Sequence, residues 1–133
     1  MYLLDTNIIS YWMRGDKSVI SRIKKYAPAD LCLSTVTLAE ILYGIEKSPI
    51  KKKDRSLKIR KISSLLGLYS FDESAAEKYA VIRAQLEKKG MVIRERDTQI
   101  ASIAMANKLT LVTHNVREFG RVDKLKVEDW ATE

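Results

Sequence analysis

The sequence predicts an α/β fold in which a mainly parallel sheet is covered by helices on both faces. Short apolar runs alternate with helical patterns along the chain, which is typical of parallel strands joined by crossover helices. Strands are predicted at residues 2–4, 31–33 and 109–113, and a last edge strand at residues 126–130. The length of 133 residues suits one domain with a real core, so we expect residues 1–133 to form a single domain.

Composition excludes several classes of protein. No apolar run approaches the roughly 20 residues that a membrane span needs, and the N-terminus lacks the pattern of a secretory signal. Cys32 is the single cysteine, which excludes an internal disulfide and zinc sites built on several cysteines. We expect a buried, reduced thiol in a cytoplasmic protein that has no membrane partner.

The first strand ends at an acid. Tyr2, Leu3 and Leu4 lead directly to Asp5, and Thr6 or Asn7 is expected to cap the helix that follows. An Asp in front of a helix is often only a cap. In a parallel sheet, however, the carboxyl ends of the strands open onto the ligand crevice, so Asp5 is also a candidate site residue.

The second and third predicted helices precede and follow the second strand. Apolar residues at helical spacing fill residues 19–26, and Pro28 is expected to stop that helix. After the strand, Thr37 and Glu40 have the spacing of a capping box, in which Glu40 would bond only a backbone N–H. In the functional interpretation, Glu40 projects toward the end of the first strand. Gly44 interrupts this helix and is tolerated at a cost of up to ~1 kcal/mol.

A strongly basic segment follows at residues 51–61. Seven cations and one acid, Asp54, give it +6 of the chain's net charge of +7. Such a one-sided element indicates a polyanion or an acidic protein surface as partner, although a solvated helix face explains it equally well. An apolar stripe from Ile59 to Tyr69 predicts a helix whose positive N-terminal half lies beyond the core. Cations near a helix N-terminus oppose the helix dipole, which modestly favours a binding role.

Two further helices are predicted in the second half of the chain. Asp72 and its neighbours open one that Gly90 ends. The other begins near Asp97 and has a face of small residues that suits close packing on a sheet. A short turn or helix is expected at residues 116–119, directly after His114 and Asn115.

Four polar residues are predicted to lie near the carboxyl edge of the sheet. Asp5 ends the first strand, Glu40 lies one turn into the helix after the second, Asp97 begins a helix that returns to the sheet, and Asn115 follows the strand at residues 109–113. In a parallel sheet all four can converge at the carboxyl edge. Three carboxylates without a cation would repel one another, whereas oxygen-rich acidic clusters suit Mg²⁺ or Mn²⁺.

The motifs around these positions resemble those of a known family. The stretches Leu4-Asp5-Thr6-Asn7, Val36 to Gly44, Arg96 to Ala101 and Leu111 to Phe119 look like the signature blocks of PIN-domain ribonucleases, and most closely of the VapC-type toxins of bacterial toxin–antitoxin pairs. The resemblance runs nearly end to end. It implies a three-layer α/β/α sandwich, a Mg²⁺- or Mn²⁺-dependent endoribonuclease, a homodimer and a cognate antitoxin protein that holds the enzyme inactive.

The resemblance also implies roles for individual residues. Asp5, Glu40 and Asp97 match the family's three core acids, which would hold the metal. Asn115 falls where many PIN domains have a fourth acid, so a tightly bound second ion is not implied, although Asn is frequent there in VapC-like sequences. Thr113 matches a hydroxyl at the strand end. Supporting positions are Thr6 and Asn7, and candidate contacts to RNA or antitoxin are Lys51, Lys52, Lys53, Arg55 and His114.

The implied reaction is hydrolysis of an RNA backbone phosphodiester, and transfer RNA is the target class that the resemblance suggests. Asp5 and Asp97 would hold the cation and Glu40 would complete or orient its shell. Water activated by the cation would attack phosphorus in line and leave a 5′-phosphate and a 3′-hydroxyl. A ribonuclease that uses two histidines is excluded, because the chain has only His114.

Other interpretations remain open at this point. A haloacid-dehalogenase-type phosphotransferase also begins with a strand that ends in Asp, but it needs a second Asp where this chain has Asn7. A receiver domain needs paired acids after its first strand. The main alternative is a non-catalytic RNA- or protein-binding module on a PIN-like scaffold, because a fold does not guarantee chemistry. Another is a housekeeping PIN ribonuclease that has no antitoxin.

Overall fold

The computed structural model describes residues 1–131 and confirms the predicted α/β class. Five strands form one sheet in the order β3-β2-β1-β4-β5, and all four pairings are parallel. The strands are β1 Tyr2–Leu4, β2 Leu31–Ser34, β3 Gly67–Tyr69, β4 Thr110–Val112 and β5 Val127–Glu128. Their carboxyl ends therefore share one edge of the sheet, as the site hypothesis requires.

Seven helices connect and cover these strands in the described part of the chain. Their bounds are α1 Thr6–Met13, α2 Lys17–Ile23, α3 Thr35–Lys47, α4 Lys52–Leu65, α5 Glu73–Lys88, α6 Glu95–Ala106 and α7 Val116–Phe119, and one turn of 3-10 helix covers Pro28–Asp30. Among these residues no helix is long and apolar enough to cross a membrane.

The central strand β1 places consecutive side chains on opposite faces of the sheet. Leu4 packs with residues of α1 to α4, whereas Leu3 packs with residues of α5 and α6. Both leucines are fully buried. This alternation follows from the period of two in a strand. It explains why the sheet has a helical layer on each face, which is the expected three-layer sandwich.

The cap of α1 is Asp5, as the cap interpretation of this residue expected, and the cap of α3 differs from the predicted one. Asp5, not Thr6 or Asn7, caps α1, because its Oδ1 accepts a hydrogen bond of 3.0 Å from the Ile8 N–H. The capping box that was predicted in α3 is also wrong. Ser34 caps α3 through the Thr37 N–H, at 3.0 Å, and the helix begins two residues before Thr37. Asp5 directly follows β1 and Ser34 is the last residue of β2, so at both caps the chain turns directly from a strand into its helix.

Several boundaries are also shorter than predicted. Helix α2 ends at Ile23, and Pro28 opens the 3-10 turn rather than stopping a helix. Helix α4 ends at Leu65, so the predicted stripe to Tyr69 includes a strand, β3, that the apolar pattern concealed. The N-terminal half of α4 lies beyond the core as expected. Its first fully buried side chain is Ile59.

Candidate active site

Asp5 lies at the carboxyl end of β1 and is almost fully buried, with 4% of its surface exposed. Burial is the main cause that raises the pKa of this carboxyl, from 3.8 to about 6. Hydrogen bonds from the Thr113 side chain and the Ile8 N–H lower the pKa, and the charges of Asp97 and Glu40 raise it. Asp5 therefore lies within electrostatic range of both other predicted acids.

Glu40 lies in the second turn of α3 and points toward the start of α1. The Thr6 hydroxyl donates a hydrogen bond of 2.6 Å to Glu40 Oε1 and also lies 3.2 Å from the Thr37 hydroxyl. Arg96 Nη1 lies 3.6 Å from Glu40 Oε2. The functional interpretation of Glu40, in which its side chain projects toward the end of the first strand, thus fits its observed contacts.

Asp97 occupies the first turn of α6, where the positive end of the helix dipole stabilises a carboxylate. The residue is only 6% exposed. Arg94, three residues earlier, donates from Nε to Asp97 Oδ2 at 3.2 Å. This hydrogen bond is the largest cause that raises the pKa of Arg94, and the charges of Asp97, Glu40 and Asp5 add to it. The Arg94 guanidinium is therefore attracted by all three acids.

The charges of Glu40 and Asp97 both act on Asp5, so the three acids lie near one another around one edge of the sheet. We call the space between Asp5, Glu40 and Asp97 the acid pocket. In their present rotamers, no three His, Cys, Asp or Glu side chains within residues 1–131 stand close enough to hold one ion. The carboxylates instead bind the partners just described, which are a backbone amide, two hydroxyls and two arginines.

Thr113 and Asn115 complete the edge of the pocket after β4. Thr113 is fully buried and its hydroxyl oxygen accepts a hydrogen bond of 2.9 Å from the Asn115 N–H. Asn115 is half-buried and immediately precedes α7. Thr6 bonds Glu40 directly, whereas Asn7 is exposed on α1. The structure thus ties Thr6 and Thr113 to the acids and ties Asn115 to Thr113.

His114 lies beside the pocket on an exposed loop. Its Nδ1 is 3.0 Å from Asp129 Oδ2, and its ring meets the edge of Tyr11 with 6.0 Å between centroids. About half of the side chain is exposed to solvent. Because about half of the side chain is in contact with solvent, His114 stays a candidate contact to RNA.

A groove of about 1010 Å³ opens beside Thr6 and Glu40 and runs between α1, α3 and α4. We call it the α1–α3–α4 groove. Apolar side chains form part of its lining, among them Trp12 and Ile41. Five cations outnumber two acids along it, which makes the groove positive outside the acid pocket. The cations are Arg14, Lys51, Arg55, Lys58 and Lys61, and the acids are Glu40 and Asp54.

The predicted contact residues of the basic helix take different positions. Lys51 lines the groove, Lys52 pairs with Glu46 at 2.9 Å, and Lys53 is exposed. Arg55 turns inward, and its Nη2 donates to the Ile45 and Ser48 carbonyls at the end of α3. Its Nε is buried without a hydrogen-bond partner in the described structure. Arg55 therefore braces the turn between α3 and α4 as well as lining the groove.

The family follows from comparison with known proteins. Residues 2–125 match the PIN domain family. The chain belongs to the PIN-domain family. It is 37% identical to ribonuclease VapC2 of Haemophilus influenzae, over 97% of each chain. It is 33% identical to the tRNA(fMet)-specific endonuclease VapC of Shigella flexneri, over 98% of each. The similarity therefore extends to the VapC branch of the family.

Solved VapC complexes have the same fold as this PIN-domain chain. The structure of VapBC2 from Rickettsia felis, bound to a DNA fragment from its promoter, matches with a TM-score of 0.89 and 35% identity, over 97% of this chain and 98% of that one. DNA-bound VapBC from Salmonella typhimurium matches with a TM-score of 0.88 and 32% identity, over 97% of each. Both the fold class and the family assignment thus agree with the sequence analysis.

The donor set of this PIN-domain chain fits a hard divalent cation. Asp5, Glu40 and Asp97 offer oxygen ligands only, of the type that Mg²⁺ and Mn²⁺ prefer. Burial is the main cause that raises the pKa of Asp5, and the charges of Asp97 and Glu40 add to it, so a cation bound here would favour the charged form of this carboxyl. Two of the three carboxylates are paired with arginines that are mostly exposed to solvent, Asp97 with Arg94 and Glu40 with Arg96.

Sequence reasoning missed two residues of this site. Arg94 and Arg96 stand beside Asp97 in the sequence, but their side chains reach two different acids, Asp97 and Glu40. The signal that was available is their position at the N-terminus of α6, where cations oppose the helix dipole. Two arginines at a helix N-terminus indicate that nearby carboxylates offset their unfavourable interaction with the helix dipole.

Proposed function

We propose that this VapC-family protein is a Mg²⁺- or Mn²⁺-dependent endoribonuclease that acts as the toxin of a toxin–antitoxin pair. The observation that carries the proposal is the meeting of Asp5, Glu40 and Asp97 beside a positive groove. Carboxylates suit the cation, and the groove suits the phosphates of the RNA backbone. The names of the VapC relatives support the same activity.

Each residue of the acid pocket has a role in this proposal. Asp5, Asp97 and Glu40 would hold the cation. When bound, the cation supplies stabilisation of charge on the phosphoryl oxygens and lowers the pKa of water. Thr6 orients Glu40 by its hydrogen bond, and Thr113 and the Ile8 N–H orient Asp5.

Asn115 adds an uncharged side chain where a fourth acid would raise the negative charge. Its N–H is fixed by Thr113, whose hydroxyl in turn bonds Asp5. We place the Asn115 amide beside the reacting phosphate, where it donates a hydrogen bond without repelling the substrate. Because the Asn115 side chain is uncharged, the three carboxylates remain the source of negative charge in the acid pocket.

Transfer RNA is the substrate class that we propose. Two relatives, from Shigella flexneri and Salmonella typhimurium, are named tRNA(fMet)-specific endonucleases, at 33% and 32% identity. The groove runs away from the acid pocket and offers cations along its length, which suits a folded RNA strand better than a mononucleotide. We place this activity in the cytoplasm, where Cys32 would remain the buried thiol seen here.

A cognate antitoxin is the protein partner that we propose, and the α1–α3–α4 groove is its binding surface. The VapBC complexes among the structural matches support an antitoxin. An acidic segment would complement the cations of the groove and cover the path of the RNA at the same time. We also propose that the protein forms the homodimer implied by the family.

Cleavage of total RNA with and without Mg²⁺ or Mn²⁺ tests the proposed activity. Wild type should cleave only with a divalent ion and leave 5′-phosphate and 3′-hydroxyl ends. Asp97→Asn should abolish cleavage, whereas the matched surface variant Glu46→Gln should not, because Glu46 lies on the exposed side of α3 and pairs with Lys52 at 2.9 Å. Full cleavage in EDTA, or 2′,3′-cyclic phosphate ends, would contradict the mechanism.

The same experiment separates the competing functions. RNA binding without cleavage in either metal would favour the non-catalytic binding module. Cleavage that an acidic upstream-encoded partner fails to inhibit would favour a housekeeping ribonuclease. A small open reading frame immediately upstream, whose product forms a stable complex with this chain and blocks RNA binding, would support the toxin role.

A further inference from the structure

The acid pocket already contains positive charge that belongs to the chain itself. Arg94 donates to Asp97 at 3.2 Å, and Arg96 lies 3.6 Å from Glu40. These two arginines neutralise two of the three carboxylates. Resting on the proposed function, we propose that Arg94 and Arg96 are exchangeable counterions: they pair with Asp97 and Glu40 in the metal-free protein and transfer to RNA phosphates when a divalent cation binds.

Exposure makes such an exchange possible. The side chains of Arg94 and Arg96 are 71% and 61% exposed, whereas those of Asp97 and Glu40 are 8% and 15% exposed. The acids are thus fixed in the protein, and the arginines approach them from solvent. An ion pair with one exposed partner is weak, so a divalent cation that binds the same carboxylates displaces it readily.

The charge count balances in this exchange. Arg94 and Arg96 together carry two positive charges, the same as one Mg²⁺ or Mn²⁺. Replacing both arginines by the cation leaves the net charge of the acid pocket unchanged. The two guanidiniums are then free at its rim, where the backbone phosphates of a bound RNA lie. A guanidinium is well suited to this second partner, because its planar fork matches phosphate geometry.

Helix stability does not explain why cations occupy these positions. Arg94 is the N-cap residue of α6 and makes no capping hydrogen bond with its side chain, and Arg96 lies in the first turn. Carboxylates stabilise a helix N-terminus, whereas cations weaken it. Arg94 is attracted by Asp97, Glu40 and Asp5 alike, so neutralisation of the acid pocket is the role that its surroundings support.

Divalent-ion affinity in the absence of RNA is the first test. Mn²⁺ binding to the full chain is measured by titration calorimetry for wild type, Arg94→Gln, Arg96→Gln and the double variant. Because each arginine competes with the ion, we expect each single variant to bind Mn²⁺ roughly three- to tenfold more tightly. Arg94→Lys keeps the charge and should stay near wild type. Lys89→Gln removes a cation paired with surface Asp123 at 3.1 Å and is the matched control.

RNA affinity is the second test, and it distinguishes exchange from a purely structural role. A labelled single-stranded RNA is titrated at several salt concentrations, in EDTA and in Ca²⁺, with its integrity checked on a gel. In Ca²⁺ each glutamine variant should reduce the salt slope by about 0.7, the value for one lost phosphate contact on a single strand. In EDTA the slope should not change, because the arginines are then held by Asp97 and Glu40.

The outcomes separate this inference from the proposed function. If wild type cleaves RNA with a divalent ion, but the glutamine variants show unchanged Mn²⁺ affinity, the counterion role is wrong and the nuclease assignment stands. Equal slope changes in EDTA and Ca²⁺ would mean that the arginines bind RNA permanently, which also overturns the exchange. If wild type binds no Mn²⁺ and cleaves in EDTA, the proposed function itself fails.

Discussion

The Thr6 hydroxyl donates a hydrogen bond of 2.6 Å to Glu40 Oε1, across 34 positions of the sequence. This contact joins the first turn of α1 to the middle of α3 at the mouth of the groove. A hydrogen bond to a charged group contributes about 1.5–3 kcal/mol, and here it fixes the direction of a proposed metal ligand. The hydroxyl therefore matters for where Glu40 points more than for whether the chain folds.

Thr6→Val tests this positioning role. Valine keeps the shape of threonine and removes the donor, so Glu40 loses its orienting bond. We expect the rate of metal-dependent RNA cleavage to fall roughly tenfold or more, while the chain stays folded and its free energy of unfolding falls by no more than about 1.5–3 kcal/mol. Thr110→Val, at the opposite end of the sheet, is the control. A variant that cleaves like wild type would show that Glu40 is oriented without Thr6.

The buried Asp5 predicts a pH dependence of stability. Its pKa rises from 3.8 to about 6 on folding, because burial disfavours the charged form. The folded state therefore binds the proton more tightly than the unfolded chain between these values. The stability that protonated Asp5 contributes is fully present below pH 3.8 and is lost as the pH rises through about 6. The loss corresponds to about 3 kcal/mol in the absence of a divalent ion.

Asp5→Asn isolates this contribution. Asparagine keeps a capping oxygen for the Ile8 N–H but carries no charge. In EDTA, the stability of this variant relative to wild type should increase by up to about 3 kcal/mol between pH 4 and pH 7.5, as measured by urea denaturation. Asp123→Asn, on the surface, should show no such trend. A constant difference across this range would mean that Asp5 is not destabilised by its burial.

The basic wall of the groove predicts a second salt-dependent binding surface. Lys58 and Lys61 line the groove, and Lys58 lies 3.6 Å from Asp54. The double variant Lys58→Gln, Lys61→Gln should weaken binding of single-stranded RNA and reduce the salt slope by about 1.4. Lys78→Gln, Lys88→Gln on α5 is a control of equal charge. An unchanged slope would assign the groove to the antitoxin alone.

We also expect that neutralising Lys51, Lys52 and Lys53 together weakens RNA binding and reduces its salt dependence. The three lysines differ in their surroundings, so we expect them to contribute unequally to RNA affinity. Lys51 lines the groove, whereas Lys52 is paired with Glu46 at 2.9 Å. We therefore expect Lys51→Gln alone to account for most of the loss in RNA affinity, measured by fluorescence anisotropy at low salt. An equal contribution from Lys52→Gln would show that its pair with Glu46 opens on binding.

Much of this architecture could be predicted from the sequence, because its signals are local. Apolar runs ending in polar residues predicted β1, β2 and β4, and Gly90, at a φ of +67°, ends α5 as its position in the pattern indicates. That Asp5, Glu40 and Asp97 can lie near one another was expected from a parallel sheet, and the family resemblance selected the same three acids. The strands and the end of α5 could be predicted because residues adjacent in the sequence determine them.

The parts that could not be predicted depend on contacts between distant residues. Strand β3 is three residues long and directly continues the apolar stripe of α4, so no periodicity distinguishes it from the helix. Which acid Arg96 reaches is decided by the packing of α6 against α3, not by its own neighbours. The N-cap of α3 is Ser34 and not Thr37, because the helix begins directly at the end of β2, a boundary that the local pattern did not show.

Helix α4 allows a final prediction that separates folding from binding on one element. Ile59 is fully buried in the core, whereas Leu57, two residues earlier, is 63% exposed. Ile59→Ala should reduce the free energy of unfolding by about 2–5 kcal/mol, because it leaves a cavity. Leu57→Ala should change it by no more than about 0.5 kcal/mol. Urea denaturation measures both.

Helix α4 also carries cations of the groove. If Leu57→Ala has normal stability and unchanged RNA affinity, the contribution of α4 to RNA binding comes from its charged side chains. If Ile59→Ala were harmless, the basic helix would not be anchored to the core, and its lysines would not be held along the groove.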